Sequence, residues 1–501
     1  MVKIGKPYTD IKYVALSFLL GFSIRLIPEI MYPNYPVGYD VAIYAYIIPN
    51  IHKTPIATML RGTPLFYLAS WALLQLTHAD IYLLLKIMGP LMYGLLLASF
   101  HTLLTSALKW DPKKSLLCTS VCMLQIPTLR LSWDLFRNEL GLIMLFLFIV
   151  AVNSDIKRKW LITFITAFLT ALSHELATIL MFVCVLYWMA TAKRRDAMLK
   201  TAIAILPAAL LFSYQLSAYF GLLPPAPQSR PERTIVYLKS IAIEKTLPRP
   251  FRNYYLDSLL PDTYTGMLFE FFRMLGVFYL PLLPLAVLGF KRNRVLDPIT
   301  GWLTLTVFSF PFCPQAYPFY SFFRWALFIV FPMSVYATEG LLKLKSKITY
   351  WKPILTAALT VYLFIGLNYA SGLVPMPTVY MTRGTLTSST IEMNRIDDCI
   401  ACLQWLNQHA GNNSILITEK RFYAWALNFL DKRIAIAYYP PAYPIQDIPL
   451  SELTGNFEEI YLIWYAGSEL SEFKEIHRSG DIAIYVYTSF RRESPLLEWG
   501  G

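Results

Sequence analysis

Seven ionisable side chains stand at or near the ends of long apolar runs: Asp40, Asp134, Arg137, Glu139, His174, Glu175 and Arg324. Carboxylates and an imidazole can move protons or ligate a hard cation, and guanidinium groups hold anions in a bidentate fork. Charges this close to a membrane face are costly unless they are paired or line a wet cavity. Asp40 sets the question most sharply, because "NYPVGYDVAIYAY" (34–46) places one acid among aromatic and apolar residues just after the first hydrophobic helix. It reads either as a working carboxylate or as the N-cap of the helix that follows.

The elements that must position these groups are membrane helices. The chain has 501 residues, 56% hydrophobic and 15% charged, with mean hydropathy +0.46. About 25% charged is usual for a soluble domain, so the composition belongs to the membrane class. The net charge of +12 does not indicate nucleic acid, because the basic residues fall in short clusters between apolar segments. Four of the six cysteines lie in or beside apolar runs and read as small packers. Cys399 and Cys402 form an isolated CxxC with no second pair or histidine cluster to make a metal site. There is no small-residue cleavage pattern behind the first apolar run, which reads as a retained span.

Runs of spanning length occur near 11–30, 81–107, 115–130, 139–153, 159–173, 175–191, 199–221, 263–290, 299–317, 321–341 and 352–373. A shorter run, "TPLFYLASWALLQLT" (63–77), decides the topology. If it does not cross, the basic clusters at Lys3/Lys6/Lys12, 109–114, 157–159, 193–195, 291–294 and 343–347 share one side of the bilayer. We therefore read 63–77 as an outer interfacial helix and expect about eleven spans, a cytoplasmic N-terminus and an extracytoplasmic C-terminal domain in the cell membrane. On that topology all seven ionisable groups reach one leaflet.

The transmembrane domain is expected over 1–373 and a Pro-, Ser-, Thr- and Gly-rich linker over 374–392. A small α/β domain with a largely parallel sheet follows over 393–501, from a helix at 393–409 and strands "SILITE", "RIAIAYY", "EIYLIWY" and "IAIYVYT". "RFYAWALNFL" and "LSEFKEIHR" read as its other helices.

An outer loop with Asp40 and then Tyr44, the non-crossing "TPLFYLASW", a short polar second outer loop and an arginine in "FFRW" together resemble the GT-C class of membrane glycosyltransferases. A multi-span body followed by a soluble extracytoplasmic domain is the plan of that class, so the resemblance covers the whole chain. "WDLFRNELG" is most similar to archaeal relatives of the protein mannosyltransferases. The resemblance implies transfer of a hexose or pentose from a polyprenyl (dolichyl) phosphate carrier to a glycan, lipid or protein acceptor, with inversion.

In that comparison Asp40 matches the first-loop catalytic acid, and Asp134 is the second acid of the class by position. Arg324 would hold the departing phosphate, with Arg137, Arg249 and Arg252 as further candidates; a snorkelling role at a helix end is the alternative for Arg324. Tyr44, His174 and Glu175 complete the expected substrate-binding set, the last two as a local hydrogen-bonded pair. Asp40, Asp134, Glu139 and His174 are the groups that could ligate a divalent cation such as Mg or Mn. Yet "WDLFRNE" lacks the closely spaced acidic pair of the metal-dependent oligosaccharyltransferases, and no Trp-Trp-Asp signature follows. A metal-free monosaccharide transferase, with Asp134 orienting the acceptor or pairing with Arg137, fits better. A lipid or glycan transporter without transferase activity is the competing reading. It expects ionisable groups at the bilayer midplane and interrupted helices in two related halves, neither of which the sequence displays.

Overall fold

The structure is a computed structural model, described here over residues 10–154, 157–191, 195–224, 233–238, 264–280, 282–309, 319–345, 351–372, 386–389, 391–439, 448 and 450–488. It divides into two compact units: Met1–Gly38, Ile48–Pro227 and Leu260–Leu386 form the first, and Tyr39–Ile47, Gln228–Leu259 and Thr387–Gly501 the second.

The first unit is helical. Its N-terminal part contains α1 (Ile11–Met31), the end of α2 (Val41–Asn50), the short α3 (Ile56–Met59), α4 (Leu65–Thr77), α5 (Ile81–Ser106) and α6 (Pro112–Met123). Then come α7 (Ile126–Asp134), α8 (Phe136–Asn153), α9 (Lys159–Ser173), α10 (Glu175–Thr191) and α11 (Arg195–Tyr219). The last group is α12 (Tyr264–Tyr279), α13 (Leu283–Gly289), α14 (Asp297–Ser309), α15 (Phe319–Phe328), α16 (Val330–Lys345) and α17 (Trp351–Ser371). Aspartates start several of them. Asp10 accepts from the Lys12 N–H at 3.2 Å and Asp80 from Tyr82 at 2.8 Å. Asp111 accepts from Lys113 at 2.9 Å, with Pro112 at the first helical position.

Among the described residues five helices are long and apolar enough to cross a membrane, or six if the bent pair Phe271–Tyr279 and Leu283–Gly289 is one span. Among the described residues, some of the apolar runs expected to span are not single helices of spanning length. The run at 115–130 breaks at Gln125, two residues before Pro127. Helix α4 has 13 residues, about 20 Å of rise against a hydrocarbon core of roughly 30 Å, too short to span by itself.

Helices α1 and α5 cross closely. A Cβ on Gly21 would lie 2.6 Å from Leu97 Cδ1, and one on Gly94 2.8 Å from the Phe18 ring, so only glycine admits that approach. Beside the crossing lies a buried ionic network. Arg25 pairs with Glu29 at 2.6 Å and Lys86 with Glu29 at 3.2 Å. Arg25 also donates to the carbonyls of Ser132 (3.2 Å) and Val37 (2.7 Å), while Lys86 donates to those of Glu29 (2.7 Å) and Tyr32 (2.5 Å). The carboxylate of Glu29 accepts in turn from the Val37 N–H at 3.3 Å. The turn after α1 is thereby fixed by three charged side chains.

The second unit contains β1 (Ile235–Tyr237), β2 (Thr387–Ser388), β3 (Ile391–Glu392), α18 (Ile396–His409), β4 (Ser414–Glu419), α19 (Lys420–Phe429), β5 (Ala435–Tyr439), α20 (Ser451–Thr454), β6 (Glu459–Tyr465), β7 (Phe473–Ser479) and β8 (Ile482–Tyr487). Six strands form one sheet in the order β1-β5-β4-β6-β8-β7. The first four are parallel, and β8 and β7 add on antiparallel, so the sheet is mixed. Continuous apolar runs in β4 and β6 suit strands buried on both faces.

Three sequence expectations change here. "LSEFKEIHR" yields a strand, β7, because its burial alternates with period two against β8 rather than with helical period. The expected linker 374–392 contains the β2–β3 hairpin, with Ser388 opposite Ile391. Ile235–Tyr237, inside the span 1–373 expected to be transmembrane, form β1, which extends the sheet with Ile235 opposite Ile436. Arg233 secures that strand by donating to the carbonyls of Ala426 (2.9 Å) and Leu430.

Candidate functional site

Two breaks between helices of the first unit create its polar cluster. At the first, Leu135 (φ −132, ψ 52) separates α7 from α8. Asp134 ends one helix and Arg137 opens the next. At the second, His174 is extended (φ −163, ψ 136) and separates α9 from α10, so Glu175 begins a helix. Such breaks turn side chains away from helix–helix contacts.

Asp134 and Arg137 make ion pairs with different partners. That of Asp134 is with Arg130, four residues earlier on the same face of α7, where opposite charges one turn apart meet. The neighbouring Trp133 stacks on Tyr369 of α17 with ring centres 4.8 Å apart, which holds that turn. Arg137 turns the other way. It donates to Thr63 Oγ1, lies 5.6 Å above the Tyr67 ring of α4 and approaches Glu175 Oε2 at 3.9 Å. The segment 63–77 therefore contributes directly to positioning a candidate residue.

Glu175 is the hub. Arg324 Nη1 lies 3.8 Å from its Oε1, and His174 Nε2 lies 3.5 Å from the same oxygen. Arg324 Nη1 is also 3.4 Å from His174 Nε2. The Leu176 N–H donates to His174 Nδ1 at 3.1 Å, which leaves the ring proton of the neutral imidazole on Nε2, facing Glu175. His174 is buried, and burial pushes its pKa down to about 3, with the Glu175 charge opposing that shift. Two guanidinium groups, one carboxylate and a neutral imidazole make the cluster net cationic. Four of the expected residues, Arg137, His174, Glu175 and Arg324, are thus brought together.

Asp40 belongs to the second unit. Its backbone carbonyl accepts from the Tyr44 N–H at 2.9 Å, the first turn of α2, and the Tyr44 hydroxyl donates to Asp40 Oδ2 at 3.5 Å. The candidates Arg249 and Arg252 lie outside the described residues.

Asp134 is matched by Arg130, and Glu175 stands between Arg137 and Arg324. Glu139 is buried with Arg25 as its electrostatic neighbour. Among the described residues no three His, Cys, Asp or Glu side chains converge. Sequence reasoning missed Arg25, Glu29, Lys86, Arg130 and Thr63. The i,i+4 spacing of Arg25 and Glu29 inside an apolar run was the available signal.

No family model matches the chain, and no curated protein matches it in sequence. Solved structures do. The arabinofuranosyltransferase AftD from Mycobacteria superposes with a TM-score of 0.54 at 10% identity, over 95% of this chain and 41% of that one. The Archaeoglobus fulgidus oligosaccharyltransferase superposes with a TM-score of 0.50, also at 10% identity, over 92% of this chain and 70% of that one. The chain thus spans about two fifths of the length of the arabinofuranosyltransferase. At such identity the likeness speaks for the fold. A helical body with apolar spans and a C-terminal sheet unit, superposing on two membrane glycosyltransferases, gives this chain the fold of the GT-C class.

Proposed function

We propose that the chain is a membrane glycosyltransferase that moves a sugar from a polyprenyl-phosphate carrier to an acceptor hydroxyl or amide on the outer face of the cell membrane. The observation that carries this reading is the convergence of Arg137 and Arg324 on Glu175 beside a neutral His174, in a fold shared with two glycosyltransferases. A net cationic, partly buried pair of guanidinium groups suits a departing phosphate better than an ammonium does, because each presents a planar fork of donors.

In this reading the acceptor oxygen attacks the anomeric carbon as the bond to the carrier phosphate breaks, and a single displacement inverts that carbon. Asp40 takes the acceptor proton, with Tyr44 orienting its carboxylate. Asp134, paired with Arg130, orients the acceptor. The one-sided basic clusters support a cytoplasmic N-terminus.

The test is a transfer assay with purified protein in nanodiscs, a panel of polyprenyl-phosphate sugars and glycan, lipid and peptide acceptors. Asp40→Asn should lower transfer by about 10²–10⁴-fold while donor binding persists. Wild-type rates in Asp40→Asn would refute the base assignment.

A further inference from the structure

The second unit has a groove of its own. Chain order and strand order diverge at one place: β4 leads through α19 to β5 on one side, and β5 then leads to β6 on the other side of β4. In open α/β sheets ligands collect at such a reversal, beyond the carboxyl ends of the strands. An open groove of about 510 Å³ lies there, lined by Arg395, Arg421, Tyr465, Ala466 and Asp481. Arg421 directly follows the first residue of α19, and Tyr465 ends β6. Asp481 precedes β8, which runs antiparallel to β6 and so begins at the same end.

Its chemistry narrows the ligand. Arg395 pairs with Asp481 at 2.9 Å and with Glu392 at 3.3 Å, and Arg421 pairs with Glu419 at 3.0 Å. Arg421 Nη1 also donates to the Tyr465 hydroxyl at 3.4 Å. With each guanidinium already matched by a carboxylate, an incoming anion must displace an acid and an incoming cation must displace an arginine. A neutral polyhydroxyl ligand needs neither. It asks for donors and acceptors side by side next to an aromatic surface. The two guanidinium carbons lie 5.6 and 5.8 Å from the centre of the half-buried Tyr465 ring.

The groove is tied to Asp40 within the same unit. Lys420, the residue before Arg421, lies over the Tyr39 ring at 4.5 Å and donates to its hydroxyl. Two further bonds hold the start of α2: the Ala42 N–H donates to Ser389 Oγ at 2.9 Å, and Asn428 Nδ2 to the Ala42 carbonyl at 2.8 Å. We propose that this groove binds a neutral saccharide, and that this saccharide is the acceptor whose hydroxyl is presented to Asp40. The acceptor role rests on the transferase reading; the saccharide site does not.

The experiment uses the full chain in nanodiscs without donor. Binding of manno-, gluco-, galacto- and arabinotriose, and of a uronate-bearing trisaccharide, is followed by saturation-transfer NMR and equilibrium titration. At least one neutral triose should bind, and more tightly than the uronate. Tyr465→Ala and Arg395→Gln should each weaken it by about tenfold, since both remove groups at the centre of the site. Tyr465→Phe, which keeps the ring, should weaken it less, and thermal melts identify folded variants. Binding of no neutral triose, preference for the uronate, or wild-type affinity in both folded variants overturns the site. If a triose binds while no polyprenyl-phosphate sugar is turned over, the saccharide site stands, and the acceptor role falls together with the transferase reading.

Discussion

A Cβ built on Gly141 of α8 lies 2.7 Å from the Cβ of His174 and 3.0 Å from that of Ala177. Glycine at 141 thus sets how closely α8 approaches the break that presents His174 and Glu175. Gly141→Ala forces that break outward by a few tenths of an ångström at least. Because displacements of about 1 Å can cost a hundredfold in rate, kcat/KM for transfer should fall by roughly tenfold or more while the protein still folds. Unchanged kcat/KM in Gly141→Ala would separate the break from the chemistry.

Arg324 meets both Glu175 and His174, and its fork is what a phosphate would engage. Arg324→Lys keeps the charge and loses the planar geometry. Steady-state kinetics should give a 10- to 100-fold loss in kcat/KM for Lys, and a larger one for Ala, on the scale of charge-assisted bonds of about 1.5–3 kcal/mol. Equal activity in Lys and Arg forms would point to a point charge instead of bidentate recognition.

His174 carries a pH prediction. Burial lowers its pKa to about 3 from the ordinary 6.5, so the ring is neutral throughout pH 5–8. The pH–rate profile of His174→Gln should then match the wild type in shape over that range, though not in height. For stability, the native state binds fewer protons at this site than the unfolded chain. The contribution of the neutral ring is intact above 6.5 and is lost as pH falls toward 3. A profile whose limb disappears in His174→Gln would show the ring titrating.

Glu29 holds Arg25 and Lys86 in the interior of the first unit. Glu29→Ala leaves two buried cations without their shared partner, a change that typically costs about 3–5 kcal/mol. Thermal unfolding in detergent should show a large drop in Tm for Glu29→Ala. A shift within error would place these charges in water.

The sequence revealed the strands of the second unit because their apolar runs are short, β-branched and bounded by turns; "SILITE" coincides with β4. It misled at β7, where Lys474, Glu475 and Arg478, spaced i, i+1 and i+4, imitate a polar helix face until the pairing with β8 is known. The sequence grouped seven ionisable residues, and of these the structure joins Arg137, His174, Glu175 and Arg324. It could not assign partners among them, because Asp134 had two arginines within one helical turn and the break at Leu135 chose Arg130. The ionic network at Arg25, Glu29 and Lys86 joins residues 57 positions apart, a distance no local pattern conveys.

Strand β1 has a consequence for biogenesis. Ile235 finds its partner at Ile436, about two hundred residues later. At the 5–20 residues per second typical of synthesis, the nascent segment waits on the order of 10–40 s before its edge can be satisfied. Synthesis must therefore have passed residue 436 before β1 can pair with β5, and any truncation upstream of β5 leaves that edge open to aggregation or to quality control.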